Sequence, residues 1–353
     1  MTVNSSIKNM PSPPSTEKNY SYRYLIIMAP SINNPLYSNN NPQENDVYML
    51  GKVMMGRGSM PLGQTYKGGT EDVRFRQYFG ISVSAVLLAW SKLQVEALVP
   101  DGSFFYHFLW TLMFLKIYAK EKQMCGFAGG VDPKTFHKHV WGFIRAVSEL
   151  QYTVVRFCSL FFTLSLQWYC LTKVLQICFE NRCKGDVGND YLLSIDGTDF
   201  HIRWISQKFW SYKFRSCGLR YEVGLNIITG DICWTNGPYA PGVYNDLMIF
   251  EDFLMHWLED GERVEADDGY QGQVPAKVKC PHMIGANPGT AAMQSRLRAR
   301  HETCNKRFKQ WGILKQIYRH DLTDHHDVFS AVVVLTQLSF ESGDMLFSVE
   351  YNY

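Results

Sequence analysis

No two cysteines form a C-x-x-C pair, and the total of nine is odd. A zinc ribbon, a redox dithiol and a disulfide-stapled secreted scaffold are therefore poor fits, and the thiols read as reduced and mostly buried. Strong charge of either sign is also missing: 35 Lys and Arg against 33 Asp and Glu leave a net +2. That balance excludes a histone-like polycation, but a local basic stripe can still sit inside it. The first apolar run, residues 25–29, is shorter than the roughly 7–15 residues a secretory leader needs, so no cleaved signal is expected. What the chain does have is hydrophobic residues, 46% of 353. That is enough for a sizeable core in two or three domains of about 100–200 residues each.

Residues 1–66 hold seven of the 14 prolines and several Ser/Asn runs. No apolar period stands out there, and a disordered arm is expected. Residues 67–150 read as helical, with Val73, Phe79, Val83, Val86, Leu87, Trp90 and Leu93 at helical spacing and a second apolar helix over residues 104–118. Gly126, Gly129 and Gly130 mark a turn, after which Asp132 and Pro133 supply an N-cap and first helical residue. Phe136, Val140, Phe143, Ile144 and Val147 would face inward on this helix. Lys134, Thr135, His137, Lys138, Trp141 and Arg145 would face outward, the pattern of a helix-turn-helix with a basic face. An ordinary helical bundle with a solvated face gives the same pattern.

Residues 151–189 form a connector whose apolar stretch, 157–179, approaches the length of a membrane span. Gln167, Lys173 and Gln176 oppose that reading, and no membrane is expected. A buried helix and a translated intron both stay open. From residue 190 to 345 short strands alternate with turns and helices: 191–195, 221–228, 232–235, a helix capped by Asn245, 263–266, and a long helix over 291–314. The order predicts an α/β domain, a mixed sheet flanked by helices of the ribonuclease H-like kind. Residues 346–353 read as a tail.

Asp196 and Asp267 share one setting: each is predicted to end a strand and is followed closely by Gly. Open α/β sheets place active sites at such rims. Seventy residues separate the two, and 34 separate Asp267 from Glu302, so the long helix carrying Glu302 can return across the same rim. Three carboxylates at one point repel by about 4 kcal/mol per pair at 4 Å and an effective dielectric of 20. Mg²⁺ or Mn²⁺, hard ions with oxygen ligands, would offset that repulsion, and two of them suit phosphodiester transfer. Glu302 is the sole acid between Pro288 and Arg319, among Arg296, Arg298, Arg300, Lys306, Arg307, Lys309, Lys315 and Arg319. A phosphate backbone is the natural partner of such a segment. Each acid also has a plainer role, turn residue for the aspartates and i,i+4 partner of Lys306 or Arg298 for Glu302. Asp199 should point away from Asp196, Asp268 away from Asp267, and Asp246 opens a helix near the rim. His320, His325 and His326 lie among aspartates without a zinc spacing.

Asp196-Gly197-Thr198, Pro241-Gly242 with Asp246, Asp267-x-Gly269-Tyr270 and Arg300-His301-Glu302, in that order, resemble the DDE superfamily endonuclease domain of Harbinger-type transposases over about residues 190–345. The resemblance implies a ribonuclease H-like fold and divalent-metal cleavage of DNA, with Asp196, Asp267 and Glu302 as catalytic metal ligands and Asp246 as an auxiliary position. It also implies a nuclear protein that works on DNA, recruited by a separate DNA-binding partner and able to form homo-oligomers. Lys134, Lys138, Arg145, Arg296, Arg298, Arg300, Lys306, Arg307 and Lys309 would then contact DNA. The family also includes domesticated members, so a non-catalytic DNA-binding protein on the same fold is the alternative. The 157–179 insert departs from the family pattern.

Overall fold

The computed structural model describes residues 40–55, 68–155, 191–213, 215–227, 229–258, 262–280 and 288–349. The 157–179 stretch, most of the expected arm and the end of the tail lie outside the described residues.

The N-terminal part is a set of helices: α1 (Glu44–Met54), α2 (Gly68–Phe79), α3 (Val83–Val95), α4 (Phe105–Ile117), α5 (Glu121–Phe127) and α6 (Pro133–Glu149). Their ends follow local chemistry. Ser82 caps α3 by accepting from Ala85 N at 3.2 Å, and Asp132 caps α6 by accepting from Lys134 N at 2.9 Å, with Pro133 at the first position. Helix α1 corrects the expectation of an arm disordered through residue 66. Val47, Leu50 and Met54 recur at i, i+3 and i+7, are buried, and pack with Phe75 and Phe79 in one core. The flanking Asn and Pro residues masked this short stripe. Trp141 is a second correction: it is 3% exposed, packed edge-to-face with Phe114 and His320, and does not belong to the outer face of α6.

The second part is a six-stranded mixed sheet. β3 (Ser216–Asn226) runs antiparallel to β1 (Tyr191–His201), to β2 (Trp210–Ser211) and to β4 (Ile232–Tyr239). On the other side of β1 lie β5 (Arg263–Glu265) and then β6 (Val278–Lys279), both parallel. The β3–β4 turn closes at Gly230, whose φ of +80° suits glycine. Helices α7 (Asp246–Asp252), α8 (Pro288–Phe308), α9 (Gly312–Lys315) and α10 (His325–Ser339) complete the chain. Asn245 caps α7 by accepting from Met248 N at 2.8 Å.

Side chains alternate across β1. Leu193 and Ile195 enter the cluster that includes Phe250, Leu254 and Tyr270, whereas Phe200 and Ile202 enter the cluster of α10 and the N-terminal helices. That larger cluster joins described residues from Val47 to Leu346, so the N-terminal helices and one face of the sheet share a core. Leu346 and Val349 are buried as well, and Ser348 O accepts from Arg296, so the described part of the tail is packed. Among the described residues no single helix is long and apolar enough to cross a membrane. The described cysteines, Cys125, Cys217, Cys233, Cys280 and Cys304, are buried and free.

Candidate active-site cleft

Strand β1 does not end at Asp196, as expected, but continues to His201. What ends there is its neighbour: β5 stops at Glu265, opposite Ser194 in the parallel register. Asp196 and Asp267 each lie two residues beyond that pair, so the pleat sends both toward the face that carries Ser194. Helix α8 crosses this face. His301 shares a 2.8 Å hydrogen bond with Ser194 Oγ, and Asn305 donates to Asp196 Oδ2 at 3.0 Å. Glu302 lies beside His301, on the rim.

The result is a cleft of about 520 Å³ lined by Asp196, Asp267 and Glu302, together with Lys213, Arg298, Lys306 and Lys309. All three acids singled out from the sequence thus reach one cavity. They do not close on one point: among the described residues no three His, Cys, Asp or Glu side chains are placed to hold a metal ion. Asp196 and Asp267 are set back, whereas the Glu302 side chain is 71% exposed and stands 3.7 Å from Lys306.

Electrostatics follow from this placement. Burial pushes the Asp196 carboxyl up to about 7; Lys213 opposes the rise, and Asp267 and Asp246 add to it. Lys309 is shifted down, by burial and by Lys213 across the cleft. His301 is pushed down to about 4 by burial, so at neutral pH it is an uncharged strut under the cleft. Asp267 caps the following turn, accepting from Gly269 N at 2.9 Å.

Asp246 approaches from the opposite face. Its carboxylate occupies the place a Cβ on Gly197 would take, which only glycine permits. Arg220 Nη1 holds it at 3.3 Å, while the same guanidinium grips Asp199 through Nε at 2.7 Å and Nη2 at 3.0 Å. Asp199 therefore points away from the cleft, as its spacing predicts. Burial raises the Asp246 carboxyl, Arg220 lowers it, and Asp199 and Asp267 raise it further.

Several basic residues find other positions. Arg300 is fully buried and donates to the carbonyls of Asn226 and Ile227, so it cannot contact DNA, and the expectation for it is corrected. A helix exposes one side in 3.6-residue steps, and residue 300 falls on the inner one. Arg307 lines a separate cavity with Lys116 and Trp311. Arg145 pairs with Asp324 at 3.4 Å and Asp327 at 3.9 Å. Lys134 and Lys138 are exposed on α6. The histidine trio forms no metal group: His325 is buried against Tyr221 Oη at 2.7 Å, and His320 sits among aromatic rings.

Sequence reasoning missed Lys213, Asn305 and Glu265. Lys213 arrives from the β2–β3 hairpin and donates to Gly197 O at 3.4 Å. Glu265 lines the cleft and lies 3.6 Å from Lys279. Its strand position two residues before Asp267 was the available signal. Comparison of the chain with protein-family models, with curated proteins and with solved structures gives no match in any of the three.

Proposed function

We propose that this protein is a divalent-metal-dependent DNA endonuclease of the DDE type, as its motifs' resemblance to Harbinger-type transposases implies. The observation that carries the reading is the cleft: Asp196 on β1 and Asp267 two residues past the end of the parallel β5 line it together, with α8 bringing Glu302 and a row of cations across them. The strand order supports it, since β4, β3 and β1 in antiparallel pairing, continued by the parallel β5 and β6, are an arrangement a ribonuclease H-like sheet would have, with the short β2 added beside β3. The donor set suits a hard cation, because it consists of carboxylate oxygens and Asp196 is already strained toward its neutral form by burial and like charge.

In this reading Asp196 and Asp267 hold Mg²⁺ or Mn²⁺, and Glu302 turns from Lys306 to complete the set. Such ions, when bound, supply an activated hydroxyl and charge stabilisation for phosphodiester cleavage. Asn305 fixes the rotamer of Asp196 by its hydrogen bond. Arg298, Lys306 and Lys309 take the backbone phosphates and make affinity salt-dependent. Asp246 acts through charge on Asp196 rather than from inside the cleft. The site of action would be the nucleus, with a separate DNA-binding protein supplying target recognition and with copies of the chain pairing on DNA.

The test is nicking of supercoiled DNA with Mg²⁺ or Mn²⁺. Asp267→Ala should cut more than about a hundredfold more slowly, a loss that even outer-shell metal partners approach. Equal nicking by variant and wild type, or salt-dependent binding without any metal-dependent cleavage, would leave the chain a DNA-binding protein on the same fold.

A further inference from the structure

We propose that residues 203–213, the segment after β1 together with strand β2, are a stacking platform for unpaired DNA at the edge of the cleft. The inference deepens the nuclease reading and rests on it for the cleft's role. Residues 201–220 contain five Lys and Arg and no acid. Within them Trp204 is 63% exposed, Trp210 38% and Tyr212 84%. Large aromatic rings normally bury 150–250 Å² each, so three left outward on one short stretch is a surface in want of a partner.

The rings are not on a loose loop. Trp210 pairs with Cys217 in the β2–β3 ladder, and the buried Ser211 between the two outer rings donates to Asp199 Oδ2 at 2.6 Å. Lys208 O accepts from Gly242 N at 2.9 Å, and Arg203 N donates to Tyr318 O at 3.2 Å. The backbone is pinned at four points while the rings face solvent. Exposed Arg203, Lys208 and Lys213 are interspersed among them, and Lys213 also lines the cleft.

Flat rings interspersed with cations, without an acid among them, match one polymer. In an unpaired strand each base offers a π-face to a ring and each phosphate meets a cation. A closed duplex presents the same phosphates but keeps its base faces inside, so it has no use for the rings. A protein partner could cover the aromatics too, but the three exposed cations Arg203, Lys208 and Lys213 favour phosphate. The path from Tyr212 through Lys213 to Gly197 O puts the Tyr212 end of the platform beside the acids. Strand separation at the cutting site would thus be stabilised by this segment.

The experiment is fluorescence anisotropy without divalent ions, using a labelled single strand, a forked duplex and a blunt duplex of one sequence. The double variant Trp204→Ala/Tyr212→Ala should bind single strand and fork about 10–100-fold more weakly, since each stacked base is worth about 1–3 kcal/mol, and blunt duplex within about twofold. Trp204→Phe/Tyr212→Phe should keep most of the affinity. Unchanged single-strand affinity in the alanine variant overturns the proposal. So does a wild type that prefers blunt duplex to fork, which would leave the rings to a protein partner. Because no metal is present, these outcomes do not depend on cleavage, and the Asp267→Ala nicking assay decides the nuclease reading separately.

Discussion

Glu222 lies opposite Gly197 in the antiparallel register, wholly buried, with Trp234 Nε1 donating to it at 2.9 Å and Tyr270 Oη at 3.5 Å. Burial holds its carboxyl up at about 8, against 4.5 for the free side chain, and the Trp234 hydrogen bond pulls the other way. Between these values the folded chain keeps a proton the unfolded chain has released, so stability falls as pH rises through that window. Glu222→Gln keeps the shape and removes the titration. The melting temperature of the variant relative to wild type should therefore climb from about pH 5 to about pH 8 and then level off. A difference that stays flat across pH would mean that Glu222 is not a neutral acid in the fold. Nothing in the sequence marks Glu222, because its role depends on a register formed with a strand some 25 residues earlier and on Tyr270 from beyond β5. Asp196, Asp267 and Glu302 were legible for the opposite reason: a Gly after each aspartate, and a lone acid in a basic run, are local signals.

At the scale of elements, α1 shows how composition can hide a helix. The Asn and Pro residues around it indicate irregular chain, yet Leu50 is 1% exposed and Gly51 sits so close to the Phe75 ring that a Cβ would touch it at 2.8 Å. Leu50→Ala should cost about 2–5 kcal/mol, as buried leucines do, read as a lower urea midpoint at unchanged slope. A loss under about 0.5 kcal/mol, the size of a surface substitution, would place α1 outside the core. The caps of α6 and α7 were readable in advance because Asp132-Pro133 and Asn245 act within three residues of themselves. The inner position of Arg300 was not. Helical phase fixes which side faces the sheet only once a neighbour is known, and here that neighbour is the end of β3.

For the whole molecule, the decisive element is α10. Every residue from Val328 to Ser339 is buried, so this helix has no solvent face, as expected of one enclosed on all sides. The N-terminal helices cover one side of it and the sheet the other, within one cluster of buried residues. A sequence reading sets residues 67–150 apart from 190–345, because a helical texture gives way to short strands at about residue 191. A core cannot be seen in texture, since Val332 and Leu335 look alike whichever partner covers them. The consequence is that a chain starting at residue 191 would expose one flank of α10. Such a fragment should bind the dye that reports exposed apolar surface and melt without a cooperative transition. Adding a separately produced fragment of residues 40–155 should restore a sharp transition and suppress the dye signal. If the 191–353 fragment instead melts sharply by itself, the helices are an appendage. Lys134 and Lys138 would then be free to move independently of the cleft, which a shared core forbids.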